Sequence, residues 1–439
     1  MRRDYLGRAA LAASAMFLPG IGSVVILLVM AIAYSDEVQA AIGLGGSTAA
    51  IVTVVASGFV VTTIRARTAG HSLEGELTGA VGAAMLLLLA AIAIALLSPV
   101  VSRSDAGGYF AVYWIATIPA TVLTPIGFVF NGAFQAQHRD GTNLITAVTG
   151  TLVKAAVAAV VVALGVPPLA AVAAVGATTS VASILGVLVR GSQLARADMI
   201  SWRMVASAAR EALAHPVAVI RSLGERAAAS VDGLVFLVTF TAAIMVATAH
   251  SPADGAVVAL SVAVMRSVIV PLKQFGVVGA RFVIAERGGG GGRGLGRGRA
   301  MRLSTVQANC LVLLAAIAVA LTISRLALPV FDQLGWLIVA MMSVQLLIEP
   351  WAGVLYSYRK IALSTAAGLP ALVIAYGAVG GSGLTLLAVT RSGSAEAIWG
   401  VLLATRVVFA VLLAWTPRIS MPAGPDWRRG VIRRRRDAA

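Results

Sequence analysis

Six ionisable side chains lie inside long apolar runs of this 439-residue chain: Lys154, Asp232, Arg266, Lys273, Glu349 and Arg406. A charge at the centre of a bilayer-spanning helix costs about 2.5–3.5 kcal/mol on insertion scales, so such groups face a cavity or a partner. Counting inward at about 1.5 Å per residue puts Lys154, Arg266 and Arg406 near the midplane. The same count puts both acids, Asp232 and Glu349, roughly 8–12 Å above the inner face. Two arrangements compete. In one, a water-filled cavity lets Asp232 and Glu349 take up a proton or Na⁺ while Lys154, Arg266 and Arg406 meet substrate. In the other, the charges close into buried pairs such as Glu349 with Arg406. Lys273, near the inner interface, is expected to snorkel. Asn131, Gln135 and Gln345 also lie in apolar runs and either line the same cavity or glue helices together.

Prolines mark where such a site bends. Pro19, Pro119, Pro125, Pro271, Pro350 and Pro370 fall within spans, and each removes one backbone bond. Pro19 and Pro350 are the hinge candidates. Pro350 follows Glu349 directly, so the Leu346 carbonyl is expected to lose its usual donor.

Other chemistries lack their parts. A P-loop needs Gly-Lys-Ser/Thr, and Lys154, Lys273 and Lys360 follow Val153, Leu272 and Arg359. His71, His138, His215 and His250 sit far apart at loops or span ends, without an HExxH pattern. Cys310 stands alone, which excludes an intramolecular disulfide and a thiolate zinc cluster. The expectation is no catalytic site, no enzyme, and no resident cofactor or metal.

Composition dictates the elements that position these groups. Hydrophobic residues make up 59% of the chain and charged residues 12%, against about 45–50% and ~25% in soluble domains. This excludes a soluble globular protein and a disordered one. At about 20 residues per span, the apolar content suffices for on the order of twelve helices. Runs long enough to span fall at 9–34, 39–64, 79–101, 109–135, 142–165 and 167–189, then at 227–249, 254–280, 303–324, 333–357, 362–380 and 395–416. The first run is too long for a signal-peptide core of about 7–15 residues. The expectation is an all-α polytopic membrane protein. A six-helix bundle at 1–189 precedes a cytoplasmic amphipathic linker at 190–226. A second bundle at 227–417 and a basic cytoplasmic tail at 418–439 follow.

Charge tests that count. The net charge is +16, from 34 basic and 18 acidic residues. A soluble chain so basic would point to nucleic acid, but cytoplasmic loops of membrane proteins collect Lys and Arg, and no nucleic-acid partner is expected. With the N-terminus inside, the outer loops hold only Arg103, Arg325 and Arg391. Both termini are therefore predicted on the cytoplasmic side of the plasma membrane. In the central gap Arg196, Arg203 and Arg210 share one helical face, and Trp202, Val205, Ala208, Ala209 and Ala212 share the other. That predicts a helix in the headgroup layer. Residues 287–299 read as a flexible basic tether, and Arg433 to Arg436 as a lipid-touching tail.

The halves echo each other. Phe130 to Phe134 opens into Gln137 to Asp140, as Trp351 to Leu355 opens into Tyr358 to Lys360, with Gly132 and Gly353 221 residues apart. Six spans per half give two copies of one orientation, related by an axis along the membrane normal.

The layout resembles the MATE (multidrug and toxin extrusion) family, within the superfamily that also holds polysaccharide and lipid-linked oligosaccharide flippases. Arg67-Thr68-Ala69-Gly70-His71 with Glu74 resembles the family's Arg…Gly-Ala-Gly loop. Phe130 to Asp140, Gly165 to Gly176 and Trp351 to Lys360 resemble its fourth-span end, its Gly-rich fifth-to-sixth link and its tenth-span end. The resemblance implies two bundles rocking in alternating access, with coupling acids in the seventh and tenth spans. Asp232 falls near the first position, and Glu349 about one turn from the second. Members that use an Asp in the first span have no counterpart here, because no acid lies between Leu11 and Tyr34. The midplane bases Lys154, Arg266 and Arg406 outnumber the two acids, which disfavours a cationic drug. The expected function is cation-coupled export of a small amphipathic molecule, an anion by this charge balance, with H⁺ or Na⁺ as the coupling ion. The alternative is a flippase for a lipid-linked saccharide or polysaccharide precursor. Expected partners are membrane lipids and that substrate, with the chain acting as a monomer.

Overall fold

The computed structural model describes residues 2–68, 71–101, 105–137, 139–228, 230–288, 303–327, 331–362 and 368–415. Among them every regular element is helical, as a bilayer demands of backbone that must satisfy its own hydrogen bonds. The first six spans are α1 (Arg2–Ala33), α2 (Asp36–Val54) continued by α3 (Gly58–Thr68), α4 (Glu74–Val101), α5 (Asp105–Ala136), α6 (Asp140–Ala163) and α7 (Pro168–Arg196). A connection of two short helices, α8 (Trp202–Ala214) and α9 (Pro216–Ala228), leads to α10 (Val231–His250), α11 (Pro252–Gly288) and α12 (Leu303–Ala327). The tenth span is α13 (Trp336–Ile348), a π-helical stretch Pro350–Val354 and α14 (Leu355–Ala362). The eleventh is α15 (Leu369–Val373), a π-helical stretch Ile374–Gly381 and α16 (Ser382–Thr390), and α17 (Ala395–Trp415) is the twelfth. Eleven of these segments are long and apolar enough to cross a membrane, and α1, with the shorter apolar stretch Gly20–Ala33, stands at the remaining position.

The packing repeats between the halves. α4 lies on α5 as α12 lies on α13, α5 on α7 as α13 on α17, and α1 on α6 as α10 on α16. α2 meets α5 as α11 meets α14. Between the halves, α1 packs on α11, and α2 on α10 and α11. A core of buried aliphatic and aromatic side chains runs through both halves, and a smaller one around Phe59, Leu77, Phe130 and Phe134 sits beneath α8.

Three expectations change. The sixth span was expected to stop at 189, but α7 continues to Arg196. Arg190 is therefore inside a helix, donating to Thr146 Oγ1 at 3.2 Å and the Gly127 carbonyl at 3.3 Å. Arg196 consequently belongs to α7 rather than to the linker helix, because the chain turns at Asp198 (φ 52°). The linker is two helices rather than one, and both dock on the first bundle. Ala208 and Ala212 are buried where α8 meets α4, while Arg203 and Arg210 point outward. α9 delivers Arg226 to Glu76 at 3.1 Å, with its guanidinium 4.5 Å from the Phe59 ring centroid.

The eleventh span was expected at 362–380, and it runs Leu369–Thr390. Gly380, Gly381 and Gly383 fall inside it, since in hydrocarbon a helix continues through glycine rather than expose its backbone. α1 runs through the hinge candidate Pro19, whose side chain lies outside the described residues. Arg103, His138, the basic tether beyond Gly288 and the tail expected at 418–439 also lie outside them.

Candidate functional site

The site is built where the tenth span departs from α-helical geometry. Pro350 has no N–H, and the backbone responds by tightening before it and widening after it. The Glu349 N–H donates to the Leu346 carbonyl at 3.1 Å, so that carbonyl keeps a donor, contrary to expectation. The Ala352 and Val354 N–H groups both donate to the Glu349 carbonyl, at 3.1 and 3.2 Å. The span extends to Lys360, which leaves Glu349 eleven residues from its end, about 16 Å. That is three residues farther from the end of its helical span than the eight expected. Gly353 lies against its carboxylate. A Cβ there would meet Glu349 Oε1 and stand 2.8 Å from Arg406 Nη2, so a larger residue would have to displace the ends of both side chains.

α17 brings Arg406 to that carboxylate. Arg406 Nε donates to Oε2 at 2.9 Å and Nη2 donates to Oε1, a two-pronged charge-assisted contact. Nη1 donates to the Tyr376 hydroxyl, which the π-helical stretch of the eleventh span supplies. The guanidinium also lies 5.5 and 5.4 Å from the Phe236 and Phe409 ring centroids. Glu349 is 0% exposed, so the pair is sealed from solvent. Of the two arrangements open for Glu349 and Arg406, the structure holds the buried pair.

Asp232, in the first turn of α10, is held by two lysines. Lys360 Nζ stands 2.6 Å from Oδ1 and Lys273 Nζ 3.4 Å from Oδ2. Lys273 also stands 5.2 Å from the Phe236 ring centroid. It points inward to the acid, so the snorkelling expected of it does not occur. A cavity of about 10 Å³, the size of one water, touches Asp232, Lys273, Gly353, Tyr376 and Arg406. The two ion-paired centres therefore share one small chamber, too small here for an organic ligand. Among the described residues the charged side chains that line it are Asp232, Lys273 and Arg406, with their partners Lys360 and Glu349 just behind, so these five groups are three bases to two carboxylates.

The remaining candidates lie elsewhere. Arg266, half-buried on α11, donates from Nη1 to Ser47 Oγ on α2 at 3.1 Å. Lys154 is half-buried on α6. Neither lines the chamber, so Lys154, Arg266 and Arg406 do not meet there as a trio. Asn131 Oδ1 accepts from Gln135 Nε2 at 3.0 Å and from Asn143 Nδ2 at 2.7 Å, which glues α5 to α6. Gln345 is 1% exposed in α13, and its Oε1 has no partner among the described residues. Lys360, Tyr376 and Gly353 are the members that sequence reasoning missed. Lys360 had a readable signal: it lies eleven residues after Glu349, close to three helical turns and so on the same face. Among the described residues no three His, Cys, Asp or Glu side chains converge to hold a metal.

No protein-family model matches the sequence, and no curated protein resembles it in sequence. Solved structures do resemble its fold. A eukaryotic MATE transporter matches with a TM-score of 0.68 at 16% identity, covering 99% of each chain. An inward-facing multidrug resistance MATE family transporter matches at 0.65 and 14%, covering 93% of this chain and 97% of that one. A transporter of the same superfamily from Pyrococcus furiosus Vc1, described as having a binding pocket of reverse polarity and a different function, matches at 0.51 and 12%, over 93% and 94%. The chain is an integral membrane protein with the MATE fold.

Proposed function

We propose that this chain is a MATE-type efflux transporter whose substrate is a small amphipathic anion, moved across the plasma membrane by alternating access with both termini in the cytoplasm. The observation that supports the reading is the basic excess among the five groups at the second-bundle chamber. The acids at which the resemblance places a coupling cation, Asp232 and Glu349, already have tethered cations: Lys273 and Lys360 for one, Arg406 for the other. A bound cation would add to the basic excess among these five groups, whereas a bound anion would offset it. The fold's two bundles would open the chamber, and the anion would bind where three bases face two carboxylates.

In this reading no ion gradient is required. A carrier that moves outward neutral and returns with its spare positive charge is driven by an inside-negative potential, worth about 2.3 kcal/mol per charge per 100 mV. The expected coupling ion is replaced by side chains. One neighbour in fold is itself described as having a binding pocket of reverse polarity.

Dye binding to the detergent-purified protein tests this. A naphthalene-sulfonate dye is expected to bind wild type and to lose at least tenfold in affinity in Lys360→Met, while ethidium competes poorly. Ethidium binding that is displaced by protons or Na⁺, with the sulfonate ignored, would restore the cation-coupled reading.

A further inference from the structure

Arg266 stands at the middle of its span with most of its hydrogen-bonding capacity unused. It lies fourteen residues from either end of Pro252–Ala280. A guanidinium carries several N–H donors, and among the described residues that of Arg266 makes one hydrogen bond, to Ser47 Oγ at 3.1 Å. No carboxylate pairs with it among those residues. Asp232 and Glu349 are already held by Lys273, Lys360 and Arg406. Hydrocarbon does not solvate a charge, so a base at this depth calls for a counter-charge.

The helices around Arg266 contain none. α1 packs on α6, α6 on α7, α7 on α5, α5 on α2, α2 on α11 and α11 on α1, which closes a cycle. Within their spanning parts, at 5–33, 38–68, 107–136, 141–163, 168–196 and 255–280, there is no Asp or Glu. Lys154 on α6, which shares a stripe with buried Ala147, Ala158 and Val161, makes no ion pair among the described residues either.

What the cycle supplies is further donors. The hydroxyl of Tyr113, buried on α5, faces Arg266 and Thr179 of α7. A Cβ at Gly46 of α2 would stand 3.7 Å from that hydroxyl, so α2, α5, α7 and α11 converge there. The Ser47 hydroxyl accepts from Arg266 and keeps its own hydrogen to give. A guanidinium with hydroxyl donors beside it and no carboxylate is the lining that an anion needs.

Packing limits the size of the occupant. A Cβ at Gly43 would collide with Ala259, one at Gly45 with the Tyr113 ring, and one at Gly176 with Ala116. The α2–α11, α2–α5 and α5–α7 contacts are therefore close, and the space beside Arg266 suits a few atoms rather than an organic molecule.

We propose that Arg266, Ser47 and Tyr113 bind a small inorganic anion, of halide or nitrate size, between α2, α5 and α11. The site goes beyond the chamber reading above and shares no residue with it. The bound anion ties α11 of the second half to α2 and α5 of the first, across the seam between the halves.

Thermal unfolding of the detergent-purified full chain tests this, with chloride replacing the bulkier gluconate at constant ionic strength. The midpoint is expected to rise by about 3 °C or more in chloride, as binding to the folded state requires. Equilibrium dialysis against radioactive chloride is expected to show saturable binding. Arg266→Gln should lose both the rise and the binding. Ser47→Ala should weaken binding by about threefold or more. Arg210→Gln, which removes an exposed base from α8, should keep the rise. In gluconate, Arg266→Gln is expected to unfold at or above the wild-type midpoint, because it removes a buried charge that has no partner. An arginine kept only for its Ser47 contact would unfold lower in both salts, and that result would overturn the proposal. Equal midpoints in the two salts without saturable binding would overturn it too. So would a rise that survives in Arg266→Gln, and its loss in Lys360→Met would then move the anion to the chamber.

Discussion

Arg406 of α17 closes on Glu349 of the tenth span with two parallel contacts, in a place where neither side chain reaches solvent. Both charges are paid for locally, by each other, by the Tyr376 hydroxyl and by two aromatic faces. Breaking such a pair from one side leaves a bare charge, which costs far more than removing both partners.

Glu349→Gln is accordingly expected to destabilise the protein by about 3–5 kcal/mol, read as a lower thermal midpoint in detergent. The double variant Glu349→Gln with Arg406→Met should recover most of that loss. A double variant as unstable as the single would mean that the pair is not what holds these two helices together.

Gly353→Ala tests the same contact through shape alone. The added methyl occupies the space of the Glu349 carboxylate, so overpacking of about 1–3 kcal/mol is expected. Gly377→Ala, facing open space in the neighbouring span, should leave the thermal midpoint near wild type. Equal effects at both sites would show that Gly353 has no special closeness to the acid.

The Asp232 lysines back each other up. Lys273→Met should cost less than Lys360→Met, since the contacts are 3.4 and 2.6 Å. Removing both should exceed the sum of the single losses by about 0.5–3 kcal/mol, because only then is the acid left without a counter-charge. Simple additivity in the unfolding data would argue against a shared centre.

Arg226 fastens the inter-bundle connection to Glu76. Arg226→Met is expected to raise hydrogen exchange in α9 several-fold, with the exchange of α17 unchanged. Protection of α9 equal to wild type would mean that the connection is held by packing of Val219 and its neighbours alone.

Much of this was readable in the residues. Hydropathy reports burial in lipid, so the spans and the half-chain repeat were legible, as was the pairing of Glu349 with Arg406 as one of two options. Hydropathy does not report which backbone turn is wide. The two π-helical stretches, and with them Gly353 beside the acid and Tyr376 beside the arginine, had no signal beyond Pro350 and a run of glycines. Lys360 was obscured by its position, since a base near the inner end of a span reads as a topology signal. Arg190 and Arg226 were hidden similarly: their charge suggested loop, but each is folded back against a helix that offers it oxygen atoms.

The most direct measurement of the central claim is flux from proteoliposomes under an imposed membrane potential, with no pH or Na⁺ gradient present. The basic excess at the chamber predicts that a sulfonate dye moves toward the positive side, faster as the potential rises. It also predicts that Lys360→Met abolishes that dependence. Flux of a cationic dye that requires a proton or Na⁺ gradient and ignores the potential would contradict it.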